Sequence, residues 1–86
     1  MDDAQITEEI DALEAEERRL RQDEEQAAEA GRADIVSGAA ARLAAIRIRL
    51  DQLADVRRQR TAQRNAGGDP DDASLRAPGT VENYEG

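Results

Sequence analysis

Residues 24–38 read EEQAAEAGRADIVSG, and this stretch joins two helical patterns of opposite charge at Gly31. Residues 2–30 carry twelve acidic residues and three arginines, whereas residues 32–65 carry eight arginines and three acidic residues. The two net charges are therefore −9 and +5. A glycine can adopt the left-handed conformation that ends a helix. We therefore predict two long helices that fold back on each other at this point.

On both sides of Gly31 the apolar residues follow the alternating three- and four-residue spacing of a heptad seam. The seam positions are Ile6, Ile10, Leu13, Leu20 and Ala27 in the first pattern, and Val36, Ala39, Leu43, Ile46, Leu50 and Leu53 in the second. The predicted fold is all-α, an antiparallel two-helix coiled-coil hairpin over residues 1–66. The helices are expected at about 4–30 and about 34–65, with Asp3 capping the first and Asp34 or Ser37 capping the second.

Antiparallel pairing about this turn matches residues whose numbers add up to about 66. The apolar pairs are then Leu13 with Leu53, Leu20 with Ile46, and Ala27 with Ala39. The charged pairs are Glu17 with Arg49, Glu24 with Arg42, and Glu9 with Arg57, and Asp2 and Asp3 lie beside Gln63 and Arg64. Opposite charges across a seam set register and orientation more than they add stability.

Residues 67–86 form an acidic tail that contains Gly and Pro. Ala66, Gly67 and Gly68 are expected to stop the second helix. Asp69 followed by Pro70 is typical of a cap and a first-turn proline, and this pair predicts a short helical turn over residues 70–75. Beyond Arg76 we expect an extended and mobile chain.

The composition points away from catalysis. The 86 residues include no His and no Cys, and the one aromatic residue is Tyr84. We therefore predict a protein that is not an enzyme, with no catalytic residue, no cofactor and no metal site. Without His, the first-helix glutamates are interpreted as a solvated face and as seam partners rather than as a carboxylate metal site. No apolar run suggests a signal peptide or a membrane span, so a soluble cytoplasmic protein is expected.

The far side of the second helix is the first candidate site. Helical spacing places Ile48, Asp51, Asp55, Arg58 and Gln59 away from the seam. Pairing within the helix, Asp55 with Arg58 and Asp51 with Arg47, is the ordinary interpretation of these charges. A contact face for a second hairpin or for another protein is the alternative. In that case Asp51, Asp55 and Arg58 contribute to partner contact more than to the fold.

Four arginines near the end of the second helix are candidates for phosphate binding, namely Arg57, Arg58, Arg60 and Arg64. Nucleic acid is nevertheless the less favoured ligand, because the net charge of the chain is −8 and no aromatic residue lies among these arginines. A two-helix anti-sigma factor binds a cyclic dinucleotide through a series of Glu, Ser, Arg, Gln and Asp along one helix. The second helix predicted here lacks this series, because no Ser lies between Ser37 and Ser74.

One apolar seam supports two long helices poorly, because helical stability comes mainly from packing of apolar faces. Pairing of two hairpins would cover Ile35, Ile48 and Val56, which the seam within one hairpin is expected to leave partly exposed. We therefore expect either a homodimer or an unidentified protein partner. The expected function is a helical interaction or adaptor module, with a regulatory role as one form of it.

The C-terminal part of the chain resembles a family of small actinobacterial proteins known only as a domain of unknown function. The matching positions are Leu50-Asp51-Gln52, Asp55, Arg58-Gln59-Arg60, Ala62, Arg64, Ala66-Gly67, Asp69-Pro70-Asp71, Val81-Glu82 and Tyr84, with weaker similarity at Met1-Asp2-Asp3 and from Glu16-Glu17 to Leu20-Arg21. Members of the family tend to have His at the position of Arg18 and a Cys-Trp pair at the positions of Leu53 and Ala54. The resemblance implies a helical hairpin and implies no activity.

Overall fold

The computed structural model describes residues 1–70, and these form an antiparallel hairpin of two helices. Helix α1 spans Asp3–Glu29 and helix α2 spans Ala33–Asn65. Each observed bound lies within one residue of the expected one. No strand occurs in residues 1–70. The predicted all-α hairpin is therefore confirmed. The helical turn predicted over residues 70–75 lies outside the described residues except for Pro70, and so does the extended chain expected beyond Arg76.

Helix α1 begins at a capping box, and its cap is Asp2 rather than the expected Asp3. The Asp2 carboxylate accepts a hydrogen bond of 2.8 Å from the Gln5 backbone N–H. The Asp2 backbone N–H donates one of 2.8 Å to the Gln5 side-chain carbonyl. Reciprocal bonding of this kind satisfies two backbone groups at once, which is why Asp2 is the better cap. Asp3 is left free to pair with α2.

The connection between the helices is a Schellman turn centred on Gly31, whose φ is +70°. The Arg32 N–H donates to the Ala27 carbonyl at 2.8 Å, and the Gly31 N–H donates to the Ala28 carbonyl at 3.1 Å. This pattern needs a left-handed residue, which glycine adopts without steric cost. The turn is therefore short, and its centre lies two residues closer to the N-terminus than residue 33, the centre that the predicted register implies.

Helix α2 has no side-chain cap at its start, so the expected cap at Asp34 or Ser37 was wrong. The cap position is Arg32, and Asp34 already lies in the first turn of the helix. The Arg32 guanidinium donates to both Asp34 oxygens at 3.3 and 3.2 Å. This hydrogen bond lowers the pKa of Asp34. The negative charge also lies at the positive end of the α2 dipole, where it stabilises the helix.

The core of the hairpin is concentrated near its open end. Ile6, Leu53 and Val56 are buried together, and Ile10 and Leu13 pack against them. Burial of Val56 corrects the expectation that the seam leaves this residue partly exposed. Toward the turn the buried residues include two alanines, Ala27 and Ala39. Such small side chains allow two helices to approach closely.

Helix α2 ends in a second Schellman turn at Gly67, whose φ is +78°. The Gly68 N–H donates to the Gln63 carbonyl at 2.7 Å, and the Gly67 N–H donates to the Arg64 carbonyl at 3.2 Å. The chain then reverses direction. By residue 70 it again lies beside α2, because the Pro70 carbonyl accepts a hydrogen bond of 3.3 Å from Arg60 Nη1.

Candidate functional site

Two arginines of α2 form forked ion pairs with glutamates of α1, although not with the predicted ones. Arg42 donates from Nε and Nη2 to both oxygens of Glu16, at 2.7 and 2.9 Å. Arg49 binds both oxygens of Glu9 in the same way, with Nη2 to Oε1 at 2.9 Å. In both cases the observed glutamate lies eight residues before the predicted one, Glu24 or Glu17. Four of these eight residues follow from the turn, because a centre two residues earlier lowers the sum of partner numbers by four. The long guanidinium side chains reach along the seam for the other four.

These ion pairs change the acidity of their members. The hydrogen bonds from Arg49 lower the pKa of Glu9, and those from Arg42 lower the pKa of Glu16. The same contacts raise the pKa of each arginine. All four side chains are therefore charged at neutral pH. Because forked pairing is directional, its first role here is to fix which faces of the helices meet.

Arg60 is the most enclosed cation of the open end, with 7% of its surface exposed. Its Nε donates to Asp3 Oδ1 at 2.7 Å, and its Nη1 donates to the carbonyls of Met1 and Pro70 at 2.7 and 3.3 Å. Arg64 Nη2 donates to the other Asp3 oxygen at 2.8 Å. These hydrogen bonds, above all that from Arg60, lower the pKa of Asp3. One guanidinium thus joins the start of α1, the end of α2 and the chain beyond it.

The four arginines predicted to bind phosphate do not form one open cationic patch. Arg60 is buried and Arg64 is paired with Asp3. Arg57 donates to the Thr7 hydroxyl at 3.1 Å, which corrects its predicted pairing with Glu9. Arg58 lies 3.6 Å from an oxygen of Asp55. Arg57 and Arg58 remain exposed beside a shallow groove of about 530 Å³, whose lining is Ala54, Arg57, Arg58, Thr61, Ala62 and Asn65.

The predicted partner face is not a uniform exposed surface. Ile48 is 40% exposed and Arg58 is exposed, whereas Asp51 and Gln59 are half-buried. Asp55 is buried, with 2% of its surface exposed, although helical spacing places it on the far side of α2 from the seam. Gln59 Nε2 donates to Asp55 Oδ2 at 2.7 Å. The helical wheel gives the angular position of Asp55 around α2 but does not report its burial.

A row of exposed residues on α2, on the side away from the seam, was not recognised from the sequence. Gly38, Ala41, Ala45 and Ile48 are all exposed and follow three- and four-residue spacing. They form a second row on α2, which we call the outer row. Gly38 lies in the interior of α2. Its place inside a helix, where glycine is unfavourable, was the signal that could have identified this row.

Neither helix among residues 1–70 is long and apolar enough to cross a membrane. Within the same residues, no three His, Cys, Asp or Glu side chains are grouped so that they could hold a metal ion.

No curated protein and no solved structure matches the chain. One family does match, over residues 2–86, far beyond the C-terminal positions that carry the resemblance. The chain therefore belongs to the family described as "Protein of unknown function (DUF2630)".

Proposed function

We propose that this protein is a non-enzymatic helical interaction module that pairs with a second copy of itself through the outer row of α2. The observation that carries the proposal is the open space at Gly38. A cytoplasmic location is part of the proposal, as is the absence of a cofactor. The alternative is that another protein, rather than a second copy, binds to the same row.

The hairpin itself gives no reason for glycine at position 38. Glycine inside a helix is about 1 kcal/mol less favourable than alanine. Gly38 has no positive φ, and nothing lies within 4 Å of the point where a Cβ atom would stand. Alanine would therefore fit without strain. A helix packed against the outer row would use the space that the missing side chain leaves.

The outer row is complementary to itself. If two copies of α2 pack antiparallel about a two-fold axis between Ala41 and Ala45, Ile48 of one copy faces Gly38 of the other. Ala41 then faces Ala45 in both halves, as an isologous interface requires. The largest side chain of the row thus meets the position without a side chain. This match of shape favours a second copy over an unrelated partner.

Phosphate binding receives less support from the same structure. A phosphate site needs cations that can leave their partners or that have none. Arg60 is enclosed and Arg64 shares the Asp3 carboxylate with it, so two of the four candidate cations are held within the hairpin. The remaining two, Arg57 and Arg58, lie on a chain whose net charge is −8.

Sedimentation equilibrium of the full chain tests the proposal. Ala45→Glu places a charge in the outer row, whereas Ala40→Glu makes the same change at an exposed alanine on another side of α2. We expect wild type and Ala40→Glu to dimerise at micromolar concentration. Ala45→Glu should raise the dissociation constant at least about tenfold, because a carboxylate would be buried against apolar groups.

Two results would contradict the proposal. One is a wild-type chain that stays monomeric at concentrations well above micromolar. The other is an equal effect of Ala45→Glu and Ala40→Glu on the dissociation constant, which would place the contact elsewhere. Circular dichroism of each variant shows whether the helices remain intact, so that loss of pairing is not mistaken for unfolding.

A further inference from the structure

A groove opens between α1 and α2 on the opposite side of the seam from the forked ion pairs. Those pairs, Arg42 with Glu16 and Arg49 with Glu9, join the helices along one side. Arg47 lies two residues before Arg49, which places it about 160° around α2 from Arg49. The groove that Arg47 borders has a volume of about 390 Å³. We call it the seam groove, and it runs from Ile10 to Glu17 along α1 and from Arg47 to Arg57 along α2.

The floor of the seam groove is apolar and half-buried. Ile10 of α1 and Leu50 and Ala54 of α2 line it. On α2, Arg47, Leu50, Ala54 and Arg57 follow three- and four-residue spacing, so they lie in one row. Their span of ten residues corresponds to about 15 Å, or nearly three helical turns. An apolar strip of this length suits a single helix that lies between the other two.

The two rims of the seam groove carry opposite charges. Glu14 and Glu17 lie on the α1 rim, whereas Arg47 and Arg57 lie on the α2 rim with Asp51 between them. Among residues 1–70, no ion pair joins one rim to the other. The opposite charges of the two helices are therefore paired across one side of the seam and left unpaired across the groove.

The contacts that the rim charges make within the hairpin are few. Glu17 lies 3.5 Å from Arg21, one turn along its own helix. Arg57 donates to a neutral group, the Thr7 hydroxyl, at 3.1 Å. Glu14 is exposed and forms no ion pair with any other residue of the range 1–70. A partner with charges of the opposite sign can therefore contact both rims without breaking an ion pair between the helices.

We propose that the seam groove binds one amphipathic helix of another protein. The apolar stripe of that helix would cover Ile10, Leu50 and Ala54. Cations along one of its flanks would face the α1 rim, and acidic residues along the other flank would face the two arginines of the α2 rim. Because the two rims differ in sign, the same charges fix the direction in which the helix lies.

A second copy of the chain suits the seam groove less well. Residues 2–30 carry a net charge of −9, so α1 of a second copy would place carboxylates against Glu14 and Glu17. The outer row lies on the other side of α2, since Ala45 is about 160° around the helix from Arg47. Binding in the seam groove therefore does not depend on pairing through the outer row, and a paired molecule would present two such grooves.

A designed peptide tests the proposal on the full chain. The peptide has three heptads with Leu in its apolar stripe, Lys along one flank and Glu along the other, and it carries a fluorescent label. Fluorescence anisotropy measures its dissociation constant with wild type and with Ala45→Glu. We expect saturable binding below about 100 µM and the same dissociation constant for both chains, because the outer row is not part of the seam groove.

Charge reversal at one rim locates the binding site. Glu14→Arg should raise the dissociation constant at least about tenfold, because it places an arginine against the Lys flank of the peptide. A second peptide with Glu on both flanks should bind Glu14→Arg more tightly than it binds wild type. Glu8→Arg makes the same change at an exposed glutamate of α1 outside the groove, so it is the matched control. Its dissociation constants should equal those of wild type.

Three results would overturn the proposal. The first is the absence of saturable binding to wild type below about 100 µM. The second is an equal effect of Glu14→Arg and Glu8→Arg, which would attribute binding to net charge. The third is self-association of Ala45→Glu that Glu14→Arg abolishes, because it would assign the seam groove to a second copy. Circular dichroism confirms that each variant is folded, and Arg47→Glu repeats the test at the other rim with a peptide that carries Lys on both flanks.

Discussion

At the scale of single residues, the molecule keeps charged groups in places that a helical wheel describes as free. Arg60 is enclosed by groups from three parts of the chain, and Asp55 is nearly inaccessible. Buried ionic groups are tolerated only where hydrogen bonds replace those to water. Among residues 1–70, no buried side-chain nitrogen or oxygen lacks a partner. Both residues are therefore part of the fold.

Asp55→Ala should lower the free energy of unfolding by about 1–3 kcal/mol, because it removes a buried acceptor and leaves its donors unpaired. Asp51→Ala is the matched control, since Asp51 lies one turn earlier on the same side and is only half-buried. Its effect should stay within about 0.5 kcal/mol. Urea denaturation of both variants measures the difference. Equal effects of the two substitutions would mean that the enclosure of Asp55 contributes nothing to stability.

At the scale of elements, the ends of the helices were predictable and their pairing was less so. Gly31 and the Gly67-Gly68 pair are local signals, and each gives a Schellman turn. The reciprocal spacing of Asp2 and Gln5 is also local, so the capping box could have been recognised from sequence. The partners of Arg42 and Arg49 could not, because they depend on the centre of the turn and on how far a guanidinium reaches.

The two glycines near the turn should respond to alanine in opposite directions. Gly31→Ala forces a Cβ atom into a left-handed conformation, so the free energy of unfolding should fall by about 1 kcal/mol. Gly38→Ala removes an unfavourable helix-interior glycine, so stability measured on dilute monomer should rise by up to about 1 kcal/mol. Chemical denaturation at low concentration makes the comparison. If both variants lose stability, position 38 needs glycine for a reason within the hairpin.

At the scale of the whole molecule, the two helices of the hairpin carry opposite net charges. The sorted charge predicted that α1 and α2 would meet, and the structure joins them through Asp3, Glu9 and Glu16. The burial of Asp55, away from the seam, was beyond sequence patterns. Periodicity reports the sides of one helix, whereas burial depends on every other segment of the chain.

Stability should depend on pH through the carboxylates that link the helices. Glu9 and Glu16 have lowered pKa values in the folded chain, so their contribution is present above the unfolded pKa near 4.5 and is lost as pH falls through the folded values. Replacing both by Gln should lower Tm at pH 7, and the gap from wild type should close below about pH 4. Thermal melts between pH 7 and pH 2 measure the gap.

The control for this titration is the double replacement of Glu8 and Glu25 by Gln, at two exposed positions of α1. It removes the same charge from a chain that already carries an excess of acid. No comparable loss of Tm at neutral pH is expected. A gap that is independent of pH for Glu9 and Glu16 would show that their pairing with arginine does not stabilise the fold.

The guanidinium of Arg60 has a mechanical consequence. It ties Met1, Asp3 and Pro70 together at the open end, so both ends of the hairpin emerge side by side. A force that pulls residues 1 and 70 apart therefore acts first on the hydrogen bonds of Arg60. It then separates the two helices progressively from the open end toward Gly31. Peeling breaks contacts in sequence rather than all at once. The hairpin should resist sliding of its helices far better than it resists being unzipped.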